Sequence, residues 1–188
     1  MTDARQPTST GDRTRVRLAA IVYRDGEGTA LSRLLDNLLA ELRRTGVRVA
    51  GAIQDDVPRD DRGHCDMLLR ELSGGRTFRI SEDRGPAAAG CHLDTFALED
   101  AAGLVEASLA DGAEIVLLNK FGKREAQGRG FRGVLVAAVQ HNIPVLVGIG
   151  ERNFEAWTAF AGPLAQTLPL DQEAVAAWCR TALTAPRR

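Results

Sequence analysis

EIVLLNKFGKREAQGRGFR, residues Glu114 to Arg132, changes character halfway along. Ile115 to Leu118 is a short unbroken apolar run, the pattern of a strand buried on both faces of a parallel sheet. From Asn119 onward the stretch turns basic and Gly-rich. Lys120, Lys123, Arg124, Arg129 and Arg132 stand against the single acid Glu125, with Gly122, Gly128 and Gly130 among them. In an open α/β sheet the loops that leave the strand ends form the ligand crevice. A Gly-punctuated cationic loop at such an end is a candidate anion site, because backbone N–H groups and side-chain cations converge there. A merely solvated connector would not need the glycines.

Working outward, the preceding segment reads as a helix capped by Asp94 or Thr95, with Ala97, Ala101, Leu104, Val105 and Leu109 at helical spacing. After the basic loop, Phe131, Val134, Leu135, Ala138 and Val139 repeat that spacing up to Asn142. Pro144 then enters a strand, Val145 to Ile149, whose Gly148 and Gly150 allow close backbone approach. Asn153 opens a short helix with Trp157 and Phe160. Thr167 to Leu170 reads as a last strand, and Asp171 caps a helix carrying Val175, Trp178, Cys179 and Ala182.

Toward the N-terminus, Arg15 to Tyr23 is a β-rich apolar run expected to be the central strand. The loop Arg24-Asp25-Gly26-Glu27-Gly28 follows, with Thr29 placed to cap the next helix. Leu31, Leu34, Leu35, Leu38, Leu39 and Leu42 make that helix strongly amphipathic. Val47 to Ile53 is the second strand, ending at Gln54 and Asp55. Met67 to Leu72, Gly74-Gly75 and Thr77 to Ile80 read as a small β-hairpin insertion. Strands alternating with helices predict an α/β fold, a three-layer sandwich on a mostly parallel sheet.

The chain has 188 residues, 44% of them hydrophobic, and a formal net charge of -1. That length supports one core, so the expected organisation is a disordered tail over 1–13 and a single domain over 14–188. The near-neutral balance gives no global pull toward nucleic acid or an anionic membrane surface. No apolar run approaches the roughly 18 residues of a membrane span. With Cys65, Cys91 and Cys179 an odd set of thiols, the reading is a cytoplasmic protein with free cysteines.

The strand–loop–helix opening is the start of phosphate-binding βαβ folds. A Walker A loop also needs Lys followed by Ser or Thr after its last glycine. Here Gly28 is followed by Thr29 and Ala30, so the loop also fits an ordinary βα turn. Asn119-Lys120-Phe121-Gly122 resembles the guanine-reading NKxD, but its Asp is Gly122, and a GTPase is rejected. Asn119 brings no charge for a metal and Lys120 opposes one, which weakens magnesium-dependent hydrolysis more than anion binding. His64-Cys65 and Cys91-His92 lack the spacing of a zinc site. Cys91, near a helix start, fits a site-lining thiol or a small buried one.

The segments LLNKFGKREAQGRGFR (Leu117 to Arg132), GCHLD (Gly90 to Asp94), GAIQ (Gly51 to Gln54), DMLLREL (Asp66 to Leu72) and IPVLVGI (Ile143 to Ile149) resemble a bacterial family of uncharacterised proteins. That family is similar to the P-loop nucleoside-triphosphatases, and its members are often labelled as molybdate ABC transporter-associated. The resemblance implies a P-loop-like α/β sandwich that binds a nucleotide or oxyanion. It implies no established reaction.

Taken together, the sequence predicts a P-loop-like protein that binds a nucleotide phosphate or a tetrahedral oxyanion, in a context that the resemblance connects with molybdenum metabolism. Its binding residues would be Arg24, Gly26, Gly28, Thr29, Gln54, Cys91, Asn119, Lys120, Gly122, Lys123, Arg124, Glu125, Gly128 and Arg129. Mg2+ carried with a nucleotide is the one cofactor this reading admits. Two alternatives stay open. One is a divergent nucleoside-triphosphatase in which Lys120 or Lys123 replaces the P-loop Lys. The other is a non-enzymatic module whose basic loop docks on another protein, a transporter or a molybdenum-handling component; a protein partner or a homo-oligomer is admitted with either.

Overall fold

A computed structural model describes residues 17–58, 65–82 and 92–184. The expected N-terminal tail, His64 and Cys91 lie outside the described residues. The strands are β1 (Leu18–Tyr23), β2 (Val49–Val57), β3 (Asp66–Glu71), β4 (Thr77–Arg79), β5 (Ser81–Glu82), β6 (His92–Leu93), β7 (Ile115–Phe121), β8 (Val145–Gly150) and β9 (Ala165–Leu168). The helices are α1 (Gly28–Arg44), α2 (Thr95–Ala110), α3 (Lys123–Ala126), α4 (Arg132–Gln140), α5 (Phe154–Ala161) and α6 (Gln172–Thr184).

The seven-stranded sheet runs in the order β4-β3-β2-β7-β8-β1-β9. The pairings β2–β7, β7–β8, β8–β1 and β1–β9 are parallel, and β2–β3 and β3–β4 are antiparallel. The central strand is therefore β7 and not, as the sequence led us to expect, β1, because only β9 lies outside β1. The expected hairpin forms, but it extends the main sheet from β2 rather than standing apart as an insertion. The β5–β6 pair is a second, two-stranded sheet.

Helices cover both faces, as apolar runs without alternation require. On one face α1 and α6 bury Leu31, Leu35, Leu38, Val175 and Cys179 against Ile21, Ile53, Ile115 and Leu117. On the other, α2, α4 and α5 bury Val105, Leu135 and Trp157 against Ala52, Val116, Leu118 and Val147. This is the three-layer arrangement that the periodicity predicts. The six α1 leucines named from spacing are all buried. Asp94 caps α2 by accepting from the N–H groups of Phe96 and Ala97, at 3.0 Å each. Asn142 closes α4 in a left-handed conformation, φ 53°. Thr29 is not the α1 cap. The Glu27 carbonyl already accepts from Leu31 N at 3.0 Å, so the helix starts at Gly28 and Thr29 falls in its first turn.

The faces fix where a site can open. β1 leads into α1 on one side of the sheet, whereas its neighbour β8 leads into α5 on the other. Chains that diverge to opposite faces from adjacent strands leave a crevice beyond their carboxyl ends, the switch-point position for ligands in such sheets.

Candidate functional site

At that edge lies a cleft of about 390 Å3 lined by Tyr23, Gly26, Gly28, Thr29 and Ser32 from the β1–α1 connection, Gln54, Asp55 and Asp56 from β2, and Asn119 and Lys120 from β7. Strand register explains the opening. β2 pairs with β7 only as far as Ile53↔Asn119, while it stays paired with β3 out to Val57↔Asp66. Residues 54–57 thus project past the last β2–β7 pairing, with no strand paired to their inner edge.

The β1–α1 loop is a tight turn. Glu27 N donates to the Arg24 carbonyl at 3.0 Å, and the Glu27 carboxylate turns back to accept from Arg24 N at 2.7 Å. Gly26 sits at φ +88°, a conformation that side-chain-bearing residues rarely adopt. With Glu27 so engaged, α1 begins with no side-chain cap and no acid in its first turn. The first N–H groups of a helix have no intrahelical acceptor, and they carry the positive end of its dipole. Gly28 and Thr29, at that start, line the cleft.

Three elements are tied together at the cleft floor. Asn119 Nδ2 donates to Ser32 Oγ at 3.2 Å, and Ser32 Oγ donates to the Gln54 carbonyl at 3.5 Å. Asn119 is only 6% exposed. Gly148 on β8 permits this approach, since a Cβ there would run into Leu31 of α1 and lie against Asn119 Oδ1. On the β2 side, Gln54 Nε2 donates to Asp56 Oδ1 at 2.8 Å. Asp55 Oδ2 faces Arg70 Nε at 3.4 Å, and the same guanidinium holds Asp36 at 2.6 Å. Burial pushes the Tyr23 phenol upward, with the charges of Asp56 and Asp25 adding to it. Tyr23 therefore presents an O–H donor at neutral pH.

The sequence-predicted residues divide. Gly26, Gly28, Thr29, Gln54, Asn119 and Lys120 come together in the cleft. Arg24 is not among the lining residues and is paired with Glu151 at 3.5 Å in solvent. Gly122, Lys123, Arg124, Glu125, Gly128 and Arg129 are not among the lining residues. Their loop is folded by two carboxylates. Glu125, 4% exposed, accepts from Gly122 N at 2.8 Å and from Phe131 N at 3.1 Å. Glu99 of α2 accepts from Gly130 N at 2.9 Å and faces Arg124 at 3.7 Å. Arg132 reaches the Glu125 carbonyl at 3.2 Å and lies 4.4 Å over the Phe160 ring. The glycines and cations that suggested convergence on an anion are thus largely occupied with the chain's own acids and carbonyls.

Sequence reasoning passed over Tyr23, Ser32, Asp55 and Asp56. The usable signal was positional for three of them: Tyr23, Asp55 and Asp56 sit at or within two residues of a strand's carboxyl end, where the crevice of a parallel sheet must open, whereas Ser32 lies within α1.

Fold and site together define a protein with a mostly parallel α/β sheet and a polar cleft at the strands' carboxyl edge. The chain belongs to the family described as protein of unknown function (DUF2478), which matches it over residues 18–178. It is also 35% identical over 164 residues to a protein named molybdenum import ATP-binding protein ModC 2 from Bradyrhizobium diazoefficiens. That match covers 87% of this chain but only 18% of the relative, so the chain spans under a fifth of the relative's length. No solved structure matches the chain.

Proposed function

We propose that the cleft binds the phosphate of a nucleotide or a tetrahedral oxyanion, in a P-loop-like setting. The observation that carries this reading is the uncapped start of α1: Gly28 and Thr29 line the cleft beside Lys120, with no acid in the helix's first turn. Helix N-termini with free N–H groups are ready anion sites, and a cation alongside strengthens the attraction. Lys120 supplies the charge, the α1 start the backbone donors, and Tyr23 and Thr29 hydroxyl donors. Where magnesium arrives with a nucleotide, the hydroxyls of Thr29 and Ser32 are the groups beside the helix start that would meet it. Among the described residues no cluster of three or more His, Cys, Asp or Glu is arranged to hold a metal ion.

The reading is of binding rather than hydrolysis, since the β1–α1 loop contains no Lys and β7 brings the neutral Asn119 rather than an acid to the cleft. A place in molybdenum handling is supported only by the relative's name.

A thermal-shift series with ATP, GTP, phosphate, molybdate and tungstate, each with and without magnesium, tests the proposal. A ligand at 100 times its dissociation constant adds about 2.7 kcal/mol of stability. At least one of these anions should raise Tm, and Lys120→Ala should remove most of the rise. No rise with any of them would leave the docking module as the better reading.

A further inference from the structure

The cleft is polarised in a way that a bare oxyanion does not satisfy. On the α1 side it offers donors: the helix start, Thr29, Tyr23 and Lys120. On the β2–β7 side it offers acceptors. Asp55 and Asp56 both line it, and each has a carboxylate oxygen beyond the one engaged by Arg70 or Gln54. Asn119, more than nine-tenths buried, also lines it. Its Nδ2 is committed to Ser32, and its Oδ1 accepts from no group among the described residues. A tetrahedral anion filling this space would set its own negative charge against two carboxylates, which is repulsive at any dielectric. An occupant that uses both sides of the cleft is longer, anionic at one end and rich in hydrogen-bond donors at the other.

We propose that this occupant is a guanine nucleotide, with its phosphate on the α1 start and Lys120 and the donor edge of its base on the Asp55–Asp56 side. This rests on the phosphate-binding reading above. Guanine presents N1–H and the 2-amino group side by side, two donors that a carboxylate, an acceptor-only group, takes in parallel. Adenine turns one amino donor and one ring-nitrogen acceptor to the same place, so one lone pair would meet another. Hypoxanthine keeps N1–H but lacks the amino group. A divalent cation is the other occupant that acids attract, but Arg70 already compensates Asp55 and Lys120 shares the cleft, so two further positive charges would be opposed. Neutral N–H donors meet no such opposition. The volume, about 390 Å3, is within the range of small-molecule sites. The guanine-reading acid thus comes from β2, not from the position three residues after Asn119, where this chain has Gly122.

The test is calorimetric titration of the full-length chain with GDP, IDP, ADP and inorganic phosphate, repeated on Asp56→Asn, Asp55→Asn and Lys120→Ala. Hydrogen bonds to a charged group are worth enough to separate GDP from IDP, and IDP from ADP, by roughly tenfold or more each. Asp56→Asn should bring GDP and IDP to nearly equal affinity while phosphate binding is not weakened; Asp56 is preferred because Asp55 also anchors Arg70. Lys120→Ala should weaken all four ligands together. Equal binding of the three nucleotides, unchanged in Asp56→Asn, would overturn the guanine assignment while leaving the phosphate reading intact. Loss in Asp56→Asn of binding seen only with magnesium would overturn it in favour of a cation. Failure of every ligand, phosphate included, would remove both readings.

Discussion

Lys120 is the cation that the cleft cannot replace from its own lining, because Arg24 turns outward to Glu151 and the cations of the Lys123–Arg132 loop lie elsewhere. Lys120→Ala should weaken phosphate-bearing ligands roughly tenfold or more, the usual scale of a charged hydrogen bond, as read by titration. It should cost little stability, since Lys120 is exposed. Glu125 is the converse case. Its two oxygens hold Gly122 N and the buried Phe131 N–H, so Glu125→Ala leaves backbone donors without acceptors. The expected loss is about 2–4 kcal/mol in urea unfolding, while ligand affinity measured well below the transition stays near that of the wild type. A large affinity loss at unchanged stability would show instead that Glu125 belongs to the binding site. The residue scale is where the sequence was least legible. Glu125 looked like a lone acid in a basic ligand loop. That it folds the loop depends on contacts with residue 131 and with Glu99's helix, and charge counting does not register them.

At the scale of elements, legibility was much better for helices than for the site. The α1 leucines, the Asp94 cap and the Asn142 stop each follow from a local rule, either period 3.6 or the chemistry of one capping residue. Strand order, in contrast, is a matter of non-local pairing. Nothing in Arg15 to Tyr23 says that only β9 will lie beyond it, or that the β2–β7 pairing will stop at Ile53 and leave the stretch 54–57 to open the cleft. The approach of α1 to β8 is likewise non-local and depends on Gly148. Gly148→Val should force Leu31 aside and lift the first turn of α1, at a cost of about 1–3 kcal/mol typical of overpacking. Because Ser32 would then part from Asn119, binding should weaken along with stability. Retention of wild-type affinity in a folded Gly148→Val protein would mean that the position of the α1 start does not govern the site.

For the whole molecule, Cys179 shows how the core between α1, α6 and the sheet answers to pH. The thiol is 1% exposed, and burial, helped by Glu41, pushes it from its ordinary value of 9.0 to about 12. A group whose value is raised by folding gives stability that is complete below its unfolded value and is lost as pH rises toward the folded one. Stability should therefore begin to fall near pH 9 and decline by up to about 1.4 kcal/mol per pH unit up to about pH 12 from this one group. Urea midpoints between pH 8 and 11 check it: the slope should be shallower in Cys179→Ala, and an identical slope in both proteins would assign the alkaline loss to other groups. Tyr23 contributes with the same sign. The fold class and the edge of the sheet where the cleft opens were legible because they rest on alternation of strands and helices. Which residues meet at that edge was legible only for those contributed by the β1–α1 loop, Gln54, Asn119 and Lys120.

All of this depends on a phosphate group seating at the uncapped start of α1, and a 15N–1H NMR titration with GDP or ATP tests that most directly. The amide signals that move with ligand should be those of Gly26, Gly28, Thr29, Ser32 and Lys120. Signals that move only over residues 123–132, or none that move at millimolar ligand, would contradict it.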